Sequence, residues 1–141
     1  MEARLQRYRQ KINFILEKLS ALPKQPKTAV EIDATLYRLQ VAIEATIDIV
    51  AMLVKDKGYT VSDDYHNLQQ LAELKVIPAA LAEELKKLNS MRNAIVHKYN
   101  RFEAETVIKS KENTREVVVK FLRNTEHELK TIFKPAQKRD H

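Results

Sequence analysis

Hydrophobic residues recur along this chain every three or four positions, the spacing of one face of an α-helix. The first such segment runs from Glu2 to Leu22, where two prolines interrupt it. In the second segment, Thr28 and Glu31 have the spacing of a capping box, and apolar positions continue to Val54 before Gly58 offers a C-terminal stop. The pattern therefore predicts two amphipathic helices, the second one long.

Start and stop signals further along the chain predict three more helices. Ser62 or Asp63 can cap the third, and Pro78 suits the first turn of the fourth, which should end near His97 to Tyr99. Asn100 and Glu103 resemble another start signal, which opens a fifth helix to about Phe133. The expected fold is an all-α, single-domain bundle of about five helices over residues 1–133, with a flexible basic tail over 134–141.

Composition supports helices and removes several function classes. The chain of 141 residues has one Gly and no Cys, which leaves no disulfide, thiolate metal site or cysteine nucleophile. It contains neither a glycine-rich phosphate loop nor a nucleophile elbow, so P-loop and serine-hydrolase chemistry are unsupported. The longest apolar stretch, residues 41–54, is too short to span a membrane, and the charged start lacks a signal-peptide core. We therefore expect a cytoplasmic protein.

The net charge is +6, and basic residues cluster at the two ends of the chain. Such ends could lie along phosphate backbones, or they could be solvated helix faces and a loose tail. On charge alone the second interpretation is the simpler one. The residues concerned are Arg4, Arg7, Arg9, Lys11, Lys130, Lys134, Lys138 and Arg139.

Arg92 falls where a charge is unexpected. On a helical wheel, Leu81, Leu85, Leu88, Ile95 and Val96 lie within about 60° of it, so it sits in the apolar stripe of helix 4. A guanidinium there needs a carboxylate, a bound phosphate or a watery interface between subunits. Helix 2 carries the complementary feature, because Glu44 and Asp48 have no basic residue three or four positions away. An ion pair between Arg92 and one of these acids would join helices 2 and 4, and it fits packing as well as catalysis.

His97 changes this balance toward chemistry. It lies about 140° around the helix from Arg92 but one turn from Asn93, whose amide could orient the imidazole. Tyr99, seven residues after Arg92, shares its face. Four groups able to handle a phosphate thus lie near one helix terminus. A metal site is not expected, since no second histidine stands four residues from His97.

The stretch RNAIVHKY, residues 92–99, resembles the R-x-x-x-x-H-x-Y signature of the HEPN superfamily and specifically its HepT-like toxin branch. The helix-2 segment IEATID and the segment SDDYHNLQQLAELKVIP are also similar to that branch, so the likeness covers roughly Val30 to Leu129. One departure is that the branch commonly has an Asp a few residues after the Tyr. Here that neighbourhood reads NRFE, in which Glu103 could substitute.

The resemblance implies a metal-independent endoribonuclease whose active site forms across a homodimer, with RNA as substrate and no cofactor. Arg92 and His97 would be catalytic. The helix spacing described above adds Asn93, Glu44 and Asp48 as supporting residues. The resemblance also implies an MntA-like minimal nucleotidyltransferase antitoxin that adenylylates Tyr99.

Two other functions fit the same residues. The chain could be a non-catalytic nucleotide-binding or regulatory subunit of a nucleotidyltransferase complex. It could also be a purely structural helical dimer, although packing alone leaves His97 and Tyr99 unexplained.

Overall fold

Six α-helices make up the part of the chain that the computed structural model describes, which is residues 2–97 and 101–134, without the side chains of 101–103. No described helix is both long enough and apolar enough to cross a lipid bilayer. The helices are α1 (Glu2–Ser20), α2 (Ala29–Asp56), α3 (Asp64–Glu73), α4 (Ala79–His97), α5 (Arg101–Lys109) and α6 (Lys111–Ile132). The predicted all-α bundle is confirmed.

Helix α2 is the centre of the bundle, because it contacts each of the other five helices. Its sequence is apolar on nearly every side, as expected of a helix surrounded by others. Leu39, Ile49 and Leu53 are completely buried, and Phe121 of α6 is buried with them in one core. Burying each such side chain contributes roughly 1.5–3 kcal/mol, so the core holds α2 and its neighbours in a fixed arrangement.

The predicted start and stop of α2 are both confirmed. The Thr28 hydroxyl accepts a hydrogen bond from the backbone N–H of Glu31, and the Glu31 carboxylate accepts one from the backbone N–H of Thr28. At the other end Gly58 takes a φ of 92°, and the next N–H, that of Tyr59, donates to the Val54 carbonyl. This is the Schellman arrangement, which favours glycine because a positive φ brings no side-chain clash there.

The predicted fifth helix is wrong in one respect, because it is two helices that meet at Ser110. The Ser110 N–H and the Ser110 hydroxyl both donate to the Val107 carbonyl, at 3.0 and 2.7 Å, which closes a tight turn at the end of α5. A serine that bonds its own backbone in this way competes with helix continuation. The strand-like run over residues 117–119 is helical, as expected from its flanks.

Helix α6 runs antiparallel to α4. Its start lies beside the later part of α4, since the Ser110 hydroxyl is 3.2 Å from the Met91 sulfur. Further along, Asn124 lines a shallow groove together with Pro78 and Ala79 at the start of α4. The two ends of α6 therefore lie at opposite ends of the bundle.

A partly buried polar cluster links the first helix to the end of the second. The Tyr8 hydroxyl and the Arg4 Nε both donate to the same Asp56 carboxylate oxygen, at 2.7 and 2.8 Å. Burial, together with the hydrogen bond to Asp56, raises the pKa of Tyr8, so the phenol stays protonated and remains a donor. The cluster fixes α1 along α2 and therefore the position of the α1 cations near the candidate site.

Candidate functional site

Arg92 lies in the last turns of α4, at the edge of the apolar stripe that the sequence predicted. Leu81, Leu85 and Ile95 of that stripe are buried, whereas Val96 is 42% exposed because α4 emerges from the bundle at its end. The Arg92 side chain is 22% exposed. Most of the side chain, including its Nε, is therefore covered by the bundle.

Glu44 and Asp48 of α2 have different partners. Glu44 faces Arg92, with 3.9 Å between Glu44 Oε2 and Arg92 Nε, so the predicted pairing of helices 2 and 4 occurs at Glu44. Asp48 instead accepts a hydrogen bond of 3.2 Å from Lys11 of α1. Neither pair is the fully buried ion pair that packing alone would favour, because the Glu44 and Asp48 side chains are 39% and 59% exposed.

The Nε of Arg92 is a buried donor without an acceptor among the residues that the structure describes. The distance of 3.9 Å to Glu44 permits attraction between charges but is too long for a hydrogen bond. The facing oxygen of Glu44 already accepts a bond of 3.2 Å from the Gln40 amide. Leaving a buried donor unsatisfied costs about 1–3 kcal/mol of stability. An unpaired donor of this kind therefore suggests a hydrogen-bond acceptor on a bound ligand or a second protein chain.

His97 is the last residue of α4 and is exposed, and Asn93 is half-buried one turn before it. The described part of the chain contains no hydrogen bond between these two side chains, and the orientation of the imidazole by Asn93 stays a prediction. Helix geometry places His97 about 7.5 Å along the axis from Arg92 and about 140° around it. Within one protomer the two side chains therefore diverge.

Three sequence expectations concern residues or side chains outside the described part. Tyr99 belongs to residues 98–100, and of the expected tail over 134–141 only Lys134 lies in the described part. Glu103 lies in α5, but its side chain also falls outside the described part.

A groove of about 490 Å³ between α1 and α2 adjoins the Arg92 pair, and sequence reasoning did not anticipate it. Glu44 and Asp48 form one wall, while Arg7 and Lys11 bring positive charge from α1. No pattern of neighbouring residues in the sequence indicates that α1 and α2 meet here, because Lys11 and Asp48 are 37 residues apart. Among the described side chains, no group of three or more His, Asp or Glu residues is arranged to hold a metal ion.

The family model for "Ribonuclease HepT-like" matches residues 5–125. The chain belongs to the HepT-like family. Two proteins of Archaeoglobus fulgidus, each named "Putative RNase", are similar to this HepT-like chain over nearly their full length. One is 45% identical over 129 residues, covering 92% of this chain and 98% of the relative. The other is 36% identical over 127 residues, covering 87% and 96%.

Two solved structures share the fold. A tri-AMPylated HEPN toxin of Shewanella oneidensis, in complex with an MNT antitoxin, superposes with a TM-score of 0.67 at 20% identity, covering 89% of this chain and 95% of the toxin. A protein of Thermus thermophilus superposes with a TM-score of 0.68 at 19% identity, covering 77% and 92%. The HepT-like chain therefore has the helical bundle of HEPN proteins.

Proposed function

We propose that this protein is a metal-independent endoribonuclease and the toxin of a toxin–antitoxin pair. The observation that carries the proposal is the buried Nε of Arg92, unpartnered within the described chain, on the same helix end as the exposed His97. A guanidinium with an unused donor is suited to a phosphate, and an exposed imidazole is suited to proton transfer near neutral pH. Membership of the HepT-like family supports the same chemistry.

In the proposed reaction, the ribose 2′-hydroxyl attacks the adjacent phosphorus and the 5′-oxygen of the next nucleotide leaves. His97 transfers a proton, and Arg92 stabilises the negative charge that develops on the phosphoryl oxygens. Asn93 orients the imidazole or the phosphate, and Glu44 and Asp48 hold the neighbouring cations until RNA enters. The products are a 2′,3′-cyclic phosphate and a 5′-hydroxyl, and DNA is not cut because it lacks the nucleophile.

The active site in this proposal forms between two copies of the chain. Arg92 and His97 of one protomer diverge by about 140°, so a phosphate cannot easily touch both within it. In a symmetric dimer, Arg92 of one protomer can face His97 of its partner.

Tyr99 is the proposed acceptor of an adenylyl group from a minimal nucleotidyltransferase antitoxin. Because Tyr99 follows Arg92 by only seven residues in the sequence, an attached nucleotide would place bulk and negative charge near the phosphate site. The structural relative that is AMPylated and bound to an MNT antitoxin supports this regulation. Mass spectrometry after co-expression with the nucleotidyltransferase should find adenylate on Tyr99, and adenylate confined to other residues would contradict the assignment.

The test of the activity compares purified wild type with Arg92→Ala and His97→Ala on total RNA, with a chelator present throughout. His66→Ala is the matched control, because His66 is exposed and bonds only to Asp63 in the described chain. We expect the two site variants to lose cleavage by on the order of 10²-fold or more while His66→Ala retains it. Equal cleavage by all four proteins would indicate a contaminating nuclease. Products ending in a 3′-hydroxyl, or equal cutting of DNA, would contradict the mechanism.

A regulatory subunit is the alternative. It predicts no RNA cleavage by wild type, together with retained binding of the nucleotidyltransferase. The same purified proteins distinguish the two functions.

A further inference from the structure

The outer face of α6 carries three exposed basic side chains, Lys120, Arg123 and Lys130, here called the α6 basic stripe. Their spacing of three and seven residues places them on one side of the helix, within about 80° of each other. His127, also exposed, lies between Arg123 and Lys130 on that side. The stripe extends about 15 Å along the helix axis.

No member of the stripe has an ion-pair partner within the residues that the structure describes. Most cations of α1 and α2 do have one, namely Arg4, Arg9, Lys11, Lys18 and Arg38. The two acids in this half of α6 are engaged elsewhere. Glu126 pairs with Arg9 of α1 at 2.5 Å, and Glu128 pairs with Lys57 at 2.5 Å. Glu116, an exposed acid four residues before Lys120, lies near one end of the stripe and offsets part of its charge. The three cations still outnumber the acids on their side of the helix.

The surface beside the stripe is concave. Lys120 and Arg123 line a shallow groove of about 280 Å³, whose other lining residues are Arg115, Glu116 and Val119. Arg115 is tied to Glu112 at 2.7 Å and to the Leu19 carbonyl at 2.9 Å, so it forms a fixed edge. The groove presents the cations of Lys120 and Arg123 to whatever enters it.

Helix stability explains only part of this arrangement. Lys130 is in the last turn, where a cation interacts favourably with the helix dipole. Lys120 and Arg123 lie two to three turns earlier, beyond the reach of that effect. Like charges three residues apart repel each other and destabilise a helix.

We propose that the α6 basic stripe binds the phosphate backbone of RNA as a second contact region, remote from Arg92 and His97. The inference rests on the proposed ribonuclease function and adds a binding surface to it. Lys120 and Arg123 are three residues apart, and side chains at that spacing on one helix face are about 5–6 Å apart, comparable to successive phosphates. Lys130 lies about 10 Å further along the axis. Unpaired Lys and Arg side chains bind phosphates without reading base sequence.

The position of the stripe implies that its contribution to binding depends on the length of the RNA. Because α6 is antiparallel to α4, Arg123 lies level with the start of α4, and His97 is at the other end of that helix. The 19 residues of α4 span about 28 Å. Only an RNA of many nucleotides can contact the stripe and the motif together.

The test measures RNA binding in a His97→Ala background, so that cleavage does not interfere. The stripe variant combines Lys120→Gln, Arg123→Gln and Lys130→Gln. The matched control removes three exposed lysines elsewhere, by Lys24→Gln, Lys55→Gln and Lys87→Gln, and so has the same net charge. Fluorescence anisotropy with a single-stranded RNA of about 20 nucleotides and with a tetranucleotide, over a range of salt concentrations, compares the proteins.

We expect the stripe variant to bind the long RNA on the order of tenfold more weakly at about 0.1 M salt, with the control unchanged. The slope of log affinity against log salt should become shallower by about 2, since each contact to single-stranded nucleic acid contributes roughly 0.7. Affinity for the tetranucleotide should not change.

Equal losses of RNA affinity in the stripe variant and the control variant would overturn the inference. A stripe variant that binds RNA normally but no longer binds the nucleotidyltransferase would also overturn it. If wild type binds RNA through the stripe but cleaves none, the ribonuclease function fails while the stripe stands. If wild type cleaves RNA and both triple variants bind it equally well, the function stands and the stripe does not.

Discussion

Arg92 and His97 point in directions about 140° apart on one helix, and this divergence makes the proposed intersubunit site testable by mixing inactive subunits. Arg92→Ala and His97→Ala each remove one half of the site. In a mixed dimer, one of the two composite sites loses both residues. The other retains Arg92 from one subunit and His97 from its partner, so it is intact.

The mixed dimer therefore has a defined expected activity. With one working site of two, its rate should be about one half of the wild-type rate. Each parent homodimer has no intact site and should be slower than wild type on the order of 10²-fold or more. The expected recovery is many times the background.

Two affinity tags make the assay decisive. The variants are co-expressed with different tags, purified over both resins, and assayed on RNA by the appearance of cyclic-phosphate ends. Arg92→Ala carried on both tags is the control, and it should stay inactive. Doubly purified mixed dimers that are no faster than their parents would refute the composite site, as would a wild-type chain that is monomeric by light scattering at the assay concentration.

Three further changes test the local chemistry. Thr28→Ala removes the N-cap acceptor of α2 and should lower the free energy of unfolding by about 1 kcal/mol in urea, and an unchanged midpoint would argue against the capping box. Glu44→Gln should change the free energy of unfolding by less than about 0.5 kcal/mol, because Glu44 and Arg92 are 3.9 Å apart and partly exposed. A larger loss would mean that this ion pair stabilises the fold. The hydrogen bond from the backbone N–H of His66 lowers the pKa of Asp63 below its usual 3.8. The ionised Asp63 carboxylate therefore stabilises the folded protein above about pH 3.8, and this stabilisation is lost as pH falls through the lower folded-state pKa. Asp63→Asn keeps a cap acceptor but does not titrate, so its stability deficit should shrink on acidification, and a constant deficit would contradict the assigned cause.

Most helix boundaries could be predicted from the sequence because capping depends on residues three or four positions apart. Thr28 with Glu31, Gly58 and Asp63 each perform the role that their spacing indicated. The break at Ser110 escaped prediction, since a serine inside an amphipathic pattern is usually compatible with a continuous helix. Its hydroxyl contact with Met91 depends on how α4 and α6 pack.

The candidate site was predictable only as far as one helix determines it. The position of Arg92 in an apolar stripe and its need for an anion followed from periodicity, and Glu44 is the acid that faces it. The pairing of Asp48 with Lys11 depends on the packing of α1 against α2, which no local pattern encodes. The functional roles of Arg92, His97 and the other motif residues stay predictions.

The unsatisfied nitrogen of Arg92 has a consequence for engineering this fold. A leucine at that position would complete the apolar stripe and remove a buried donor that has no partner in the described part of the protomer, so packing alone favours the loss of the arginine. A library selected for heat resistance without selection for RNA cleavage should therefore lose Arg92 early. Thermal tolerance and the proposed activity are in this way opposed at a single side chain.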